Sequence, residues 1–491
     1  MNKKRILLIG LFVLGLGGMN PSDAAPVDPK VIHVLDRLSF GARPGDIETV
    51  QKLGVEGYIQ QQLHPESIPE PQALADRLSQ LEMLNLTPLQ LFEQINLPRS
   101  PAPTPEQRRA YRQKMAHVLE QAQQARLLQS TENPRQLQEV MVDFWYNHFN
   151  VFSRKGVDAM LVGAYEQQAI RPHALGRFRD LLEATARHPA MLFYLDNWQN
   201  SAPNASGNNK RTQGLNENYA RELMELHTLG VDGGYTQQDV IALAKILTGW
   251  TFRRSAQPGV EPNGFYFDAK RHDFSDKVFL GQTIKGSGMP EVEQALDILA
   301  KSPATAHHIS YQLAQYFVAD QPPKALVDKL AQKFLATDGN IREVLSTLFH
   351  SSEFWNPQIY DAKFKTPYQY VVSAVRATGI NVQNVLPIRG ALQQLGMPLY
   401  GSLSPDGYKN TEDVWLNPDA MTRRINFATT IASGRLPLGA PNSSRSTPVE
   451  PVQLANTLGN SFSAQTQNAI AQSPPNLRAA LILGSPEFMR R

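Results

Sequence analysis

The chain has 491 residues, with 48 Lys or Arg, 45 Asp or Glu, 11 His and no Cys. A formal net charge of +3 gives no electrostatic footprint for nucleic acid or an anionic membrane. The lack of cysteine excludes disulfide staples, a thiolate metal site and c-type haem attachment, so stability has to come from core burial, in a chain long enough for two or three subdomains.

The first 24 residues read as a secretory leader. Lys3, Lys4 and Arg5 precede an apolar run over 6–16 that is too short to span a bilayer, and Ser22-Asp23-Ala24 offers the small residues a signal peptidase reads. Cleavage is expected after Ala24, leaving a nearly neutral mature chain in the periplasm or outside the cell, with no further membrane span.

Helical periodicity then dominates. Val31, Ile32, Val34, Leu35 and Leu38 recur at the three- and four-residue spacing of an amphipathic helix. The segment 98–105, with four prolines, reads as a stiff linker, and Pro105 suits the first turn of a long helix over 105–130. The same period recurs near 135–150, 160–170, 174–187, 216–229, 236–249, 290–302, 304–319, 324–335, 340–350, 366–378, 417–433 and 466–472. The best strand signal, Asn263-Gly264-Phe265-Tyr266-Phe267, is expected to pair with Lys277-Val278-Phe279-Leu280. The predicted fold class is mainly α, a multi-helix globular array with at most one small β-hairpin. The expected organisation is a helical segment over 25–97, the linker at 98–105, a central helical domain over 106–355 and a C-terminal helical region over 356–491 packed on it. Polar loops at 199–215 and 437–451 are long enough to be functional or disordered.

Three places can carry chemistry. The first is the helix expected over 216–229. Asn216 is a candidate N-cap, and Glu217, Arg221 and Glu225 stack at i, i+4 and i+8, with Glu222 beside Glu225 and His227 following. This is either an ion-pair brace or a site in which Glu222 or Glu225 titrates, or ligates a metal with His227. The second is the helix near 135–150, where Glu139, Asp143 and Asn147 share one face and His148 lies among aromatics. A histidine there is either a hydrogen-bonded core residue or part of a site shared by two converging helices. The third is Arg271-His272-Asp273-Phe274-Ser275-Asp276-Lys277, a loop in which His272 and Asp273 are a base with its neighbour or only a polar turn. Zinc-protease, nucleophile-elbow, phosphate-loop and dinucleotide motifs are absent. His307 and His308, adjacent on a helix, point about 100° apart and do not easily share one ligand site.

Several segments together resemble the bacterial family called domain of unknown function 1800. They are His33 through Gly45, Phe144-Trp145-Tyr146-Asn147-His148-Phe149, Asn216 through Gly230, Leu247-Thr248-Gly249-Trp250, His272-Asp273 with Lys277, Gly396 through Tyr400, and Pro405-Asp406-Gly407-Tyr408. The resemblance implies an exported α-helical protein without an assigned reaction, whose gene often neighbours that of an exported protein with an alkaline-phosphatase-like fold. It maps the family's recurring polar residues to Asn147, His148, Asn216, Glu217, Arg221, Glu222, Glu225, His227, His272, Asp273 and Lys277. Tyr146 and His227 stand where relatives carry other residue types.

Two functions follow as expectations. In the first, the chain is an enzyme with a carboxylate/histidine site acting on an extracellular substrate. Glu222, Glu225, His148, His272 and Asp273 are its catalytic candidates, and Asn147, Asn216, Glu217, Arg221 and Lys277 its binding candidates. A divalent or transition metal is an allowed cofactor, with His148, Glu225 and His227 as candidate ligands. The enzyme reading requires His148, Glu222 or Glu225, and His272 to converge on one open cavity. In the second, the chain is a non-enzymatic assembly or maturation partner of another exported protein, and the charged helix is a sealed internal brace.

Overall fold

A computed structural model describes residues 27–97, 102–203, 214–439 and 445–491. The expected leader, residues 98–101 of the linker and the middle parts of both polar loops lie outside the described residues. The fold is mainly α: twenty-three α-helices among the described residues, with two small two-stranded antiparallel sheets.

Local chemistry sets most helix ends. The long helix runs Pro105–Glu132, opened by Thr104, whose side chain accepts from the Gln107 amide while Gln107 reaches back to the Thr104 N–H. Thr236 and Asp239 form the same reciprocal cap on the helix Gln237–Ile246. The charged helix is shorter than its periodicity suggests, Asn218–Glu225. Its last turn opens as the His227 N–H bonds back to the Glu222 carbonyl at 3.1 Å and the Thr228 hydroxyl takes the Leu223 carbonyl at 2.7 Å. Glu217, not Asn216, precedes its first turn, and Asn216 accepts from the Asn218 N–H at 3.0 Å instead. The segment expected at 160–170 is the helix Asp158–Tyr165 followed by a π-helical turn, Glu166–Ile170.

The expected hairpin is corrected. Both strands exist, but they do not pair with each other. Phe265–Phe267 pairs with Trp250–Phe252, and Lys277–Phe279 pairs with Gln282–Ile284. The second pair is closed by Leu280 and Gly281, both with positive φ (48° and 76°), the turn geometry that matches strand twist. A leucine there hides the turn signal, so the sequence reading missed the nearer partner.

One contiguous apolar cluster draws on the N-terminal segment (Leu35, Leu38), the central helices (Trp145, Phe317) and the C-terminal region (Val371, Phe488). The helix Pro367–Thr378 packs on Pro105–Glu132, bringing the two ends of the chain's helical core together.

Inside this core lies a charged network. The Arg126 guanidinium bonds Asp143 at 2.5 Å and Glu166 at 2.9 Å. Tyr146, Tyr368 and Tyr400 place their rings 5.0, 5.2 and 5.3 Å from it. Arg171 bonds Glu139 at 2.7 Å and lies 3.5 Å from Glu166, whose other oxygen accepts from the Tyr400 hydroxyl at 3.0 Å. Glu166 reaches Arg126 from the π-helical turn. Desolvating such ions costs several kcal/mol each, and removing one partner strands the other. Arg126→Leu is therefore expected to lower the unfolding free energy by about 3–5 kcal/mol in urea titration. A loss below about 1 kcal/mol would show that water or protonation substitutes for the arginine.

Candidate functional site

The helix Gln136–His148 carries the stripe Glu139, Asp143 and Asn147, and each member has a different task. Glu139 is held by Arg171 and by Asn133, the latter at 2.7 Å. Asp143 meets Arg126 and also borders a cavity of about 240 Å3. Asn147 clamps a distant loop by its backbone: its amide donates to the Tyr408 carbonyl and accepts from the Tyr408 N–H, both at 2.7 Å. Gly407 makes that approach feasible. Its φ is +70°, and a Cβ there would lie 2.2 Å from the Asn147 carbonyl oxygen. The turn carrying Asp406 is thereby laid over the cavity.

The other walls come from three more places. Glu225, at the end of its helix, accepts from the Tyr235 hydroxyl at 3.0 Å. The helix Pro303–Phe317 contributes His308, Gln312 and Tyr316 at successive four-residue steps, with Gln315 beside them. Thr366, Gln369, Met397, Asp406, Tyr408, Lys409 and Asn410 complete the lining from the C-terminal region.

His148 lies at the junction. Its Nε2 is 3.1 Å from the His227 carbonyl, so that nitrogen donates and the lone pair is assigned to Nδ1. Burial, then the neighbouring His227 and His308 rings, hold its pKa well below the ordinary histidine value. Burial also lowers His308. Both rings are uncharged at neutral pH. Glu222 is raised by burial, then by Glu225 and Asp406. For Asp406, burial acts upward, but hydrogen bonds from Lys409 (2.7 Å) and Ser404 outweigh it, and the carboxyl lies below its usual range. Asp406, which lines the cavity, and Glu222, which does not, are thus pushed in opposite directions, a pattern common at reactive sites.

The structure brings together Asn147, His148 and Glu225, with Glu222 close behind. The other sequence candidates lie elsewhere. Glu217 and Arg221, 37 % and 41 % exposed, lie 3.5 Å apart and share Gln237; they neither seal a brace nor line the cavity. Asn216 ties the chain to the Asp196 carbonyl at 2.9 Å. His272 is sealed away, its ring 2.9 Å from Glu291, which also takes Lys277 at 2.6 Å; all three side chains are buried. Asp273 turns to Ser275, accepting from its N–H at 2.9 Å. The expected convergence of His148 and His272 is thus not seen, and His308 occupies the second histidine position at the cavity. The roughly 100° divergence of His307 and His308 leaves His307 exposed and turns His308 inward.

The His227 ring is buried against Phe149 (5.1 Å between centroids), and its Nε2 has no hydrogen-bond partner among the described residues. Among the described residues, no group of three or more His, Asp or Glu is arranged to hold a metal ion, so His148, Glu225 and His227 do not form a ligand set here. Asp406, Lys409 and Asn410 were missed as site residues, although the Pro405-Asp406-Gly407-Tyr408 motif marked their neighbourhood.

These features define a helical protein with one cavity walled by carboxylates and uncharged imidazoles. Residues 33–490 match the family model described as "Protein of unknown function (DUF1800)", nearly the whole chain, and the chain belongs to that family. Comparison with curated proteins and with solved structures found no match. Among the described residues no helix is long and apolar enough to cross a membrane.

The buried rings also predict a pH response. His33, His188 and His227 are pushed down to about 3, chiefly by burial, and His148 lies well below its ordinary value. Their stabilising contribution is full above the unfolded value of 6.5 and is lost as pH falls toward 3. Asp36, raised by burial to about 6, and Asp158, raised further, act in the opposite sense and offset part of this. His173 and His308 add to the first set, and Asp143, Asp361 and Glu222 to the second; the lowered histidines set the direction, so stability should fall between pH 7.5 and pH 5. Urea titrations at pH 7.5 and 5 check this, and imidazole proton resonances of these residues titrating near 6.5 in the folded protein would show that the rings are not held neutral.

Proposed function

We propose that the chain is exported, loses its leader after Ala24, and acts as an enzyme on a small polar extracellular substrate bound in this cavity. His272 lies apart from this cavity, so the requirement set from the sequence is met only in part, and the observation that carries the reading is the meeting of the Glu225 carboxylate and the uncharged His148 imidazole on one cavity, delivered by separate helices. Glu225 is the proton-transfer group. Tyr235 donates to one of its oxygens, fixing the carboxylate's orientation. His148, with its proton committed to the His227 carbonyl, acts as a neutral acceptor that orients a substrate N–H or O–H. His308 acts similarly from the opposite helix. Asn147 positions the loop bearing Asp406 and does not itself react.

The test is substrate discovery followed by substitution. Mature protein is incubated with extracellular extract, and consumed compounds are followed by mass spectrometry. Glu225→Gln is expected to lower the consumption rate by about 10²–10⁴-fold, with the melting temperature unchanged. His148→Gln should reduce turnover as well. A fully active Glu225→Gln variant, or no compound consumed by the parent protein, would overturn the reading. The role would then pass to the maturation partner of another exported protein, to be sought by co-purification.

A further inference from the structure

The polar atoms lining the cavity are unevenly matched. Among the described residues, His308 Nε2 and Asn410 Oδ1 are buried there without a hydrogen-bond partner, and Gln312 Oε1 has none beyond its interaction with the His148 ring. The two amide oxygens are acceptors. The Leu226 carbonyl takes the His308 ring proton, and since Nε2 has no partner, that nitrogen carries the lone pair. Buried acceptors are ordinarily satisfied, and two on one cavity call for an explanation. Four donors that line the same space are already engaged, whereas the amide nitrogens of Gln312 and Asn410 are not. The Asn147 amide bonds Tyr408, the Gln369 amide bonds the Tyr316 hydroxyl at 3.1 Å, the Gln315 amide bonds the Asp320 carbonyl at 3.1 Å, and Lys409 bonds Asp406.

Charge tells the same story. Asp143 is matched by Arg126 and Asp406 by Lys409. Glu225 makes no ion pair among the described residues; its partner is a neutral hydroxyl. The cavity therefore presents one uncompensated carboxylate and two free acceptors, and Phe144, Tyr316 and Tyr408 border it with aromatic rings of the kind that attract a cation. Its volume equals that of about eight waters.

From this set of atoms we infer that the ligand is a small molecule bearing a protonated amino group, of the size of a short diamine or an amino sugar. The ammonium pairs with Glu225, and its N–H groups, with any hydroxyls, satisfy His308 and Asn410. The inference rests on the cavity being the functional site, but not on any turnover there.

The experiment is calorimetric titration of the full mature chain at neutral pH and low salt. The probes are putrescine, ethanolamine and glucosamine, each beside a counterpart without the amine: 1,4-butanediol, ethylene glycol and glucose, with glucuronate as the anion. At least one amine is expected to bind, with its uncharged counterpart at least about tenfold weaker and glucuronate not binding. Glu225→Gln should weaken the amine about tenfold or more, and Asn410→Asp, which adds a carboxylate to the lining, should strengthen it. Asp419→Asn, an exposed carboxylate on another helix, should change nothing. Equal or tighter binding of an uncharged or anionic probe, or no binding by any of the three amines, would overturn the inference. Amine binding without turnover leaves this inference standing and removes the catalytic one. Turnover of a substrate lacking an amino group, lost in Glu225→Gln, does the reverse.

Discussion

The position of Arg126 governs the rest of the molecule. A guanidinium in a dry core must be met by carboxylates in good geometry, because the desolvation of each ion is large compared with the net stability of a domain. Here Asp143 and Glu166 meet it from two other elements, and three tyrosine rings close over it. That requirement sets the helix Gln136–His148 at one angle and register against Pro105–Glu132. The π-helical turn after Tyr165 belongs to the same requirement, since it carries the Glu166 carboxylate to Arg126.

Once Asp143 is fixed, everything a helical turn beyond it is fixed too. Asn147 follows at one turn and His148 beside it. The first holds the 405–408 turn and the second is tied to the backbone that follows the Glu225 helix. The cavity is therefore assembled at the end of one rigid helix from chain segments far apart in sequence. The C-terminal region supplies much of its rim.

How far this was visible beforehand follows from the physics of each element. Helices with a strong apolar stripe were legible, as the long helix opening at Pro105 and the helix expected near 236–249 illustrate. The stripe of Glu139, Asp143 and Asn147 was legible as a stripe, because four-residue spacing alone puts those side chains on one face. Its partners were not. Arg126 and Arg171 come from other elements, and only the tertiary structure shows where their guanidinium groups go. His272 looked chemical in a loop, yet it is locked to Glu291, a first-turn acid of the helix Met289–Ala300 that no motif in the sequence singles out. His308 was set aside for having a histidine neighbour, when the angular divergence that argued against a shared site leaves one of the two free to face inward. The fold class was thus readable from periodicity, whereas the site required knowing which buried charges answer one another.

The Asn147 clamp has a consequence for how this scaffold can vary. Asn147 recognises the backbone of Tyr408, not its side chain, and demands glycine only at 407. The loop's location is thereby separated from the identity of the groups it displays. The residues at 406 and 409 can change without moving the loop that carries them. A single helical framework in this way fixes where the cavity rim lies through backbone contacts, separately from the side chains that the rim displays.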